Sequence, residues 1–386
     1  MHVINDFEFK TVGDIRFAVD AALTLPTLLK TRFNAKSILL VTDKGLLNAG
    51  VLAETLHILE ASGLQVTIFS EVQADPPEAV IQAAGAKAKY VDVVVGIGGG
   101  SSMDSAKLAA VLAMEQQALV EMYGVEQVKS ARKPLVLIPT TAGTGSEVTP
   151  ISIVTTGEST KAGVVSPVLY PDVALLDPKL LLGLPAHITA ETGVDAMVHA
   201  IEAFTSKHKK NPLSDNLAIK ALQLLATHLP LSYENGQDVN HRGGTLLGAM
   251  LAGQAFANAP VAAVHALAYP LGGIYHMAHG LTNALMLPYV MRFNVLAAQQ
   301  EYAQLALVVA PQLAGLSQAE QALGFIEYME QFCKALGITK RLRDYGIGQQ
   351  DLPTLAQGAM LQTRLLMNNP RTVTYEDALG LYQQAW

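Results

Sequence analysis

Sulfur and charge are both scarce in this chain of 386 residues. The single cysteine, Cys333, excludes an internal disulfide and any metal site built on several thiolates. A metal would have to be held by imidazole and carboxylate. Charged residues make up only 15% of the sequence and the net charge is −7, which argues against nucleic acid or an anionic membrane as partner. The one basic cluster, "KHKK" at Lys207–Lys210, is short and reads as a solvated turn. No uncharged apolar run reaches the roughly 18–20 residues needed to cross a bilayer. The opening "MHVINDFEFK" lacks the basic and apolar regions of a signal peptide, so a reducing cytoplasm is the expected location.

What the chain does have is hydrophobic residues, half of the total, and more length than one ordinary core accommodates. Its first half alternates apolar, β-branched runs with helical patterns. Ser37–Asp43, Gln65–Val72, Val91–Gly100 and Pro134–Thr141 read as buried strands, with helices over Leu47–Ala61, Pro77–Lys89 and Ser102–Met114. This alternation predicts a parallel, Rossmann-like sheet covered on both faces. From about His187 onward, Ala/Leu-rich segments dominate, at 190–205, 214–228, 243–258, 295–310, 319–336 and 354–367. The expected organisation is an α/β domain over 1–185 and an all-α domain over 186–386.

Two glycine-rich segments leave strands of the first half. "VVVGIGGGSSMDSAK" opens a helix, whose first N–H groups and dipole suit a phosphate, although an ordinary strand-to-helix turn has the same composition. "PTTAGTGSEVT", 139–149, adds hydroxyls and a second flexible loop at a strand end, where open sheets bind ligands. Asp43 closes an earlier strand. It suits either a ribose 2′-hydroxyl, repelling a 2′-phosphate, or the cap of the next helix.

In "TGVDAMVHAIEAF", Asp195 and His199 are four residues apart and share one helix face, as metal ligands or as a hydrogen-bonded pair. The stretch "HALAYPLGGIYHMAHG" carries His265, His276 and His279. Pro270 and the Gly272–Gly273 pair are expected to interrupt any helix there, placing His265 and His279 on separate elements. Such a mixed donor set suits Fe²⁺ or Zn²⁺. Spacing alone does not choose among the three histidines.

These segments together resemble the iron-containing (group III) alcohol dehydrogenases, a family that includes lactaldehyde reductases and 1,3-propanediol dehydrogenases. "GGGSSMDSAK" is similar to the family's G-G-G-S-x-x-D-x-x-K loop and "PTTAGTGSEVT" to its P-T-T-x-G-T-x-x-E-x-T loop. "GVDAMVHAIEAF" and "HGLTNALMLP" resemble its D-A-x-x-H-A-x-E and H-G-x-x-N-A-x-x-x-P segments. The resemblance runs essentially end to end. It implies a dehydroquinate synthase-like fold and a homodimer. The implied activity is NAD(H)-dependent interconversion of a small primary alcohol or diol and its aldehyde, with iron, or zinc, polarising the oxygen. Asp195, His199, His265 and His279 are the implied metal ligands. The implied dinucleotide contacts are Asp43, Asp75, Gly98, Gly99, Gly100, Ser101, Asp104, Thr140, Thr141, Thr144, Thr149 and Lys161.

Two positions depart from the pattern. Asp75 stands where several relatives have asparagine. Tyr269 stands four residues after the third implied ligand, where close relatives have a histidine associated with proton relay. Tyr269 and His276 are therefore the two candidate catalytic residues. Alternatives in the same fold are a zinc-dependent polyol dehydrogenase of the glycerol type and a dehydroquinate synthase-like lyase. The lyase needs Lys and Arg near the metal, and the motifs carrying the implied ligands hold none.

Overall fold

A computed structural model describes residues 6–157 and 160–386; residues 1–5, the start of the stretch read for a leader, lie outside them. The chain divides into two compact units. One comprises Lys10–Leu184 with Gly236–Leu246, the other residues 6–9 with Pro185–Asn235 and Leu247–Trp386.

The first unit is α/β. In chain order its elements are β1 (Ile15–Phe17), α1 (Leu25–Phe33), β2 (Ser37–Asp43), α2 (Lys44–Asn48), α3 (Ala53–Ala61), β3 (Gln65–Val72) and α4 (Glu78–Ala88). There follow β4 (Val93–Gly98), α5 (Gly100–Leu112), β5 (Gly124–Val125), β6 (Leu135–Pro139), β7 (Ile151–Thr156), β8 (Thr160–Val165) and β9 (Val173–Leu176). Six strands form one sheet in the order β1-β9-β6-β4-β2-β3, with every pairing parallel. A small second sheet has the order β5-β8-β7. The central strands read as unbroken apolar runs because both faces are covered: β4, β6 and β9 are buried throughout. Leu39, Val41 and Val94 pack with Met103, Ala106 and Ala110 of α5 in one core. Edge strand β3 instead buries only Phe69 and Val72. The register Gly98↔Pro139 brings the C-terminal ends of β4 and β6, and hence the two glycine-rich segments, side by side.

One expected helix, Leu47–Ala61, is two, because Gly50 turns left-handed (φ 72°) between α2 and α3. The structure also adds β1, β5, β7, β8 and β9 to the strands expected from sequence.

The second unit is helical. It contains α6 (Ala186–Phe204), α7 (Pro212–Glu234), the C-terminal part of α8 (Val239–Asn258), α9 (Ala263–Tyr275), α10 (His279–Asn294), α11 (Gln299–Val309) and α12 (Gln318–Ala335). It ends with α13 (Leu352–Met360), α14 (Thr363–Leu366) and α15 (Tyr375–Ala385). Sequence signals start several of these. Asn211 accepts from the N–H groups of Leu213 and Ser214 ahead of α7, and Ser317 with Glu320 forms a capping box at α12. The expected break at Pro270 and Gly272–Gly273 is corrected: α9 runs through all three residues and ends at His276, which is left-handed (φ 54°). The expected helix over 354–367 is divided into α13 and α14. Among the described residues no single helix is long and apolar enough to cross a membrane.

Candidate metal centre and nucleotide loops

Helix α6 is buried continuously from Gly193 to Phe204, so Asp195 and His199, one turn apart, both point into the protein; they are 1% and 4% exposed. His265 is the third residue of α9, and His279 is the first of α10. Gly280 lets α10 start against α6: a Cβ there would lie 2.4 Å from the Glu191 carbonyl oxygen. That close approach seats His279 beside Asp195.

Asp195, His199, His265 and His279 each present one ligand atom, and all four atoms lie within 4.8 Å of one another. From Asp195 Oδ1 the Nε2 atoms of His199, His265 and His279 are 4.0, 3.8 and 3.7 Å away. These gaps are too long for hydrogen bonds. Donors that share one ion at about 2.0–2.2 Å stand roughly 3–4 Å from one another, so these gaps suit a common cation. The His199 ring is held from outside by Phe256 (4.3 Å between centroids) and stacks within the cluster on His265 (4.8 Å).

Two buried side chains orient these groups. Glu202 Oε2 lies 2.7 Å from His265 Nδ1, and a carboxylate there requires Nδ1 to donate. His265 Nε2 then carries a lone pair, and this buried atom has no hydrogen-bond partner among the described residues. Asn283 donates its amide to Asp195 Oδ1 at 2.6 Å. Burial alone would raise the Asp195 carboxyl, but His199, His279, His265 and the Asn283 hydrogen bond outweigh it and hold the group below the usual carboxylate range. An ionised carboxylate, three imidazoles and an orphaned buried nitrogen fit a divalent cation.

The cluster is open on one side. The His279 side chain is 31% exposed, whereas those of Asp195 and His265 are each 2% exposed. Tyr269, one turn after His265 on α9, sits on that side with its ring 5.9 Å from the His279 ring. His276 caps the end of α9 with its side chain exposed and is not one of the four clustered residues.

In the α/β unit, Gly98 ends β4, Gly99 caps α5 and Gly100 begins it. Gly99, Gly100, Ser101, Thr141 and Thr144 all retain exposure at this sheet end, while Thr140 and Thr149 are buried. Asp43 caps α2, its Oδ1 accepting from Leu46 N–H at 2.9 Å. Asp75 is left-handed (φ 52°), pairs with Lys161 at 2.6 Å and takes the Ser101 hydroxyl as acceptor for its N–H. Both oxygens of Asp104 brace the second loop: Oδ1 accepts from the Ser146 hydroxyl (2.5 Å) and Oδ2 from Ile153 N–H (2.8 Å).

Lys107, Glu202 and Asn283 lay inside the motifs without being read as functional. Lys107 is fully buried and donates to Ser146 Oγ (2.7 Å), Thr149 Oγ1 (3.3 Å) and the Ile151 carbonyl (2.6 Å), fastening the second loop to α5. Burial pulls its ammonium below the usual lysine range, against the attraction of Asp104 and Glu147. Glu202 and Asn283 stood in the sequence as the E of the D-A-x-x-H-A-x-E segment and the N of the H-G-x-x-N-A segment, at helical spacing from His199 and His279.

A parallel sheet with glycine-rich strand ends, followed by a helical unit that gathers three imidazoles around a carboxylate, is the organisation of an oxidoreductase that both units match in sequence. The iron-containing alcohol dehydrogenase model matches residues 13–178, and the C-terminal model of the Fe-containing alcohol dehydrogenase family matches residues 189–386. The chain belongs to the iron-containing alcohol dehydrogenase family. It is 39% identical over 360 residues to long-chain-alcohol dehydrogenase 1 of Geobacillus thermodenitrificans (strain NG80-2), covering 92% of this chain and 91% of that one. It is 36% identical over 356 residues to 1,3-propanediol dehydrogenase of Klebsiella pneumoniae, covering 91% and 92%. The crystal structure of a 1,3-propanediol oxidoreductase superposes with a TM-score of 0.95 at 34% identity, over 99% of this chain and all of that one.

Proposed function

We propose that this chain is a metal-dependent, NAD(H)-linked enzyme that interconverts a small primary alcohol or diol and the corresponding aldehyde. The observation that carries this reading is the buried cluster of Asp195, His199, His265 and His279, whose donor atoms share one centre. These four residues would hold the metal, Fe²⁺ in this reading, with Zn²⁺ suited to the same donors. When bound, the ion supplies Lewis-acid polarisation of the substrate oxygen, and NAD(H) accepts or delivers the hydride.

The chain supplies the rest. Asp195 brings one full negative charge into a buried setting, which tempers the acidity of any cation held there. Asn283 and Glu202 keep the carboxylate and the His265 ring in place. The first N–H groups of α5, at Gly100 and Ser101, suit a pyrophosphate, and Lys107 with Asp104 keeps the neighbouring loop against them. Asp43 spends Oδ1 on the α2 cap; Oδ2 suits a ribose diol and repels a 2′-phosphate, favouring NAD over NADP. Tyr269, with its ring 5.9 Å from that of His279 at the open side of the cluster, offers a phenol for the proton that a substrate hydroxyl loses or gains. A cytoplasmic homodimer is part of this reading, and light scattering checks the assembly. The lyase alternative is disfavoured, because both units match alcohol dehydrogenase models.

Metal analysis of protein purified without oxygen, paired with NADH consumption across short aldehydes, tests the proposal. One iron or zinc ion per chain and metal-dependent NADH consumption are expected. Undiminished turnover after complete chelation would overturn it.

A further inference from the structure

Glu202 is a carboxylate with almost no access to water, 4% exposed, and among the described residues no lysine or arginine is hydrogen-bonded to it. Burying such a charge is costly unless several donors meet it. Three do. Oε2 accepts from the Ala262 N–H at 2.9 Å and faces His265 Nδ1 at 2.7 Å, while Oε1 accepts from the Val264 N–H at 2.7 Å. Two of these donors are backbone groups at the entrance of α9, where N–H groups lack partners within the helix and the dipole favours a negative charge. The third is the imidazole whose other nitrogen, Nε2, is the buried and unpartnered atom facing Asp195 Oδ1 across 3.8 Å.

One carboxylate therefore does two things that are separable in principle. It caps α9, which sets where His265 stands, and it fixes the proton of that ring on Nδ1, which leaves Nε2 as a lone-pair donor. Neither Ala262 nor Val264 has a side chain able to do the second, and Glu202 comes from a different helix. With Asp195 it also gives the centre two carboxylates, one facing the shared point and one acting through an imidazole.

We propose that Glu202 is a positioning residue for the metal centre, holding His265 in the tautomer and orientation that present Nε2 to a divalent cation. This rests on the reading of Asp195, His199, His265 and His279 as a metal site. A glutamine is the informative replacement. It has one acceptor oxygen for donors that now use two, so its amide group must face either the ring nitrogen or an α9 N–H.

The test uses the full chain stripped with chelator and titrated with Co²⁺, following the visible absorption of the bound ion alongside thermal melting of the metal-free protein. Glu202→Gln should raise the Co²⁺ dissociation constant about 10–100-fold and alter the absorption band, as expected for losing a partner of a metal-ligating histidine. Glu202→Asp keeps the charge on a shorter arm and is read the same way if the glutamine variant does not fold; its loss should be smaller. An unchanged dissociation constant and band, whatever the melting temperature does, would mean that Glu202 only caps α9 and would overturn the proposal. Failure of the unsubstituted protein to bind Co²⁺ would instead overturn the metal-site reading itself.

Discussion

Asn283 donates to Asp195 Oδ1 at 2.6 Å from a position one helical turn beyond His279, so α10 supplies both an imidazole and the brace for the carboxylate opposite it. A hydrogen bond to an ionised group contributes about 1.5–3 kcal/mol, and its loss here lets Asp195 turn or bind a proton. Asn283→Ala should weaken Zn²⁺ binding about 10–100-fold, the equivalent of that energy. Competition against a coloured chelator measures it, and an affinity within error of the parent protein would contradict the role.

Removing a ligand outright should do more. His279 is the most exposed of the four, so replacing it leaves little buried cavity and the helical unit should keep its circular dichroism. His279→Ala is expected to lose bound metal and to slow aldehyde reduction about a thousandfold or more, since polarisation of the substrate oxygen is worth several kcal/mol. Full turnover in the metal-depleted variant would sink the scheme.

The parts of this architecture that were legible in sequence are those set by local pattern. β2, β4 and β6 are buried on both faces, so "ILLV" and "VVVGIG" announce a parallel sheet without help from distant residues. Helix α6 likewise places Asp195 and His199 by spacing alone. The histidine-rich stretch resisted the same treatment. Pro270 inside a helix costs about 3 kcal/mol, and local rules end the helix there. The burial of α9 from Ala263 to Ala268 and from Pro270 to Gly273 outweighs that cost, and the break falls at the solvent-facing His276. Which histidines meet depends on how α6, α9 and α10 pack, and Glu202 faces a ring 63 residues away, a relation no local period encodes. On the nucleotide side, Asp43 has the helix-capping bond that its sequence context allowed from the start.

Gly280 tests the packing that brings α10 to α6. Its Cβ would sit 2.4 Å from the Glu191 carbonyl oxygen and 2.7 Å from the carbonyl carbon, both backbone atoms that cannot swing aside. Gly280→Ala should destabilise the folded protein by about 1–3 kcal/mol, as overpacking does, and should displace His279. Melting temperature and metal content should therefore fall together. A variant that keeps both would show that α10 can shift without disturbing the centre.

Tyr269 and His276 are separated by their placement, one beside His279 and the other exposed at the end of α9. Tyr269→Phe should keep the metal and lower kcat about a hundredfold, the lower range for a lost proton-transfer group, while His276→Ala should stay within about twofold. Steady-state rates at matched metal content decide between them, and the opposite ranking would move the proton path to His276.

Glu147 makes the stability of the α/β unit depend on pH in a direction opposite to most carboxylates. It is fully buried next to Lys107, and burial pushes its carboxyl up to about 7 from 4.5, against the pull of its own N–H and of Lys107. Below about pH 4.5 the folded and unfolded chains both hold this proton. Between 4.5 and about 7 the unfolded chain releases it while the folded one keeps it, so stability falls as pH rises and levels off above 7. The span corresponds to a loss on the order of 3 kcal/mol. Glu147→Gln is neutral throughout, and Lys107 is common to both proteins. The parent protein's stability relative to the variant should therefore drop between pH 5 and pH 8 by about that amount, read from denaturant unfolding followed by circular dichroism. A difference that stays constant across this range would show that Glu147 is ionised in the folded protein, with Lys107 as its partner.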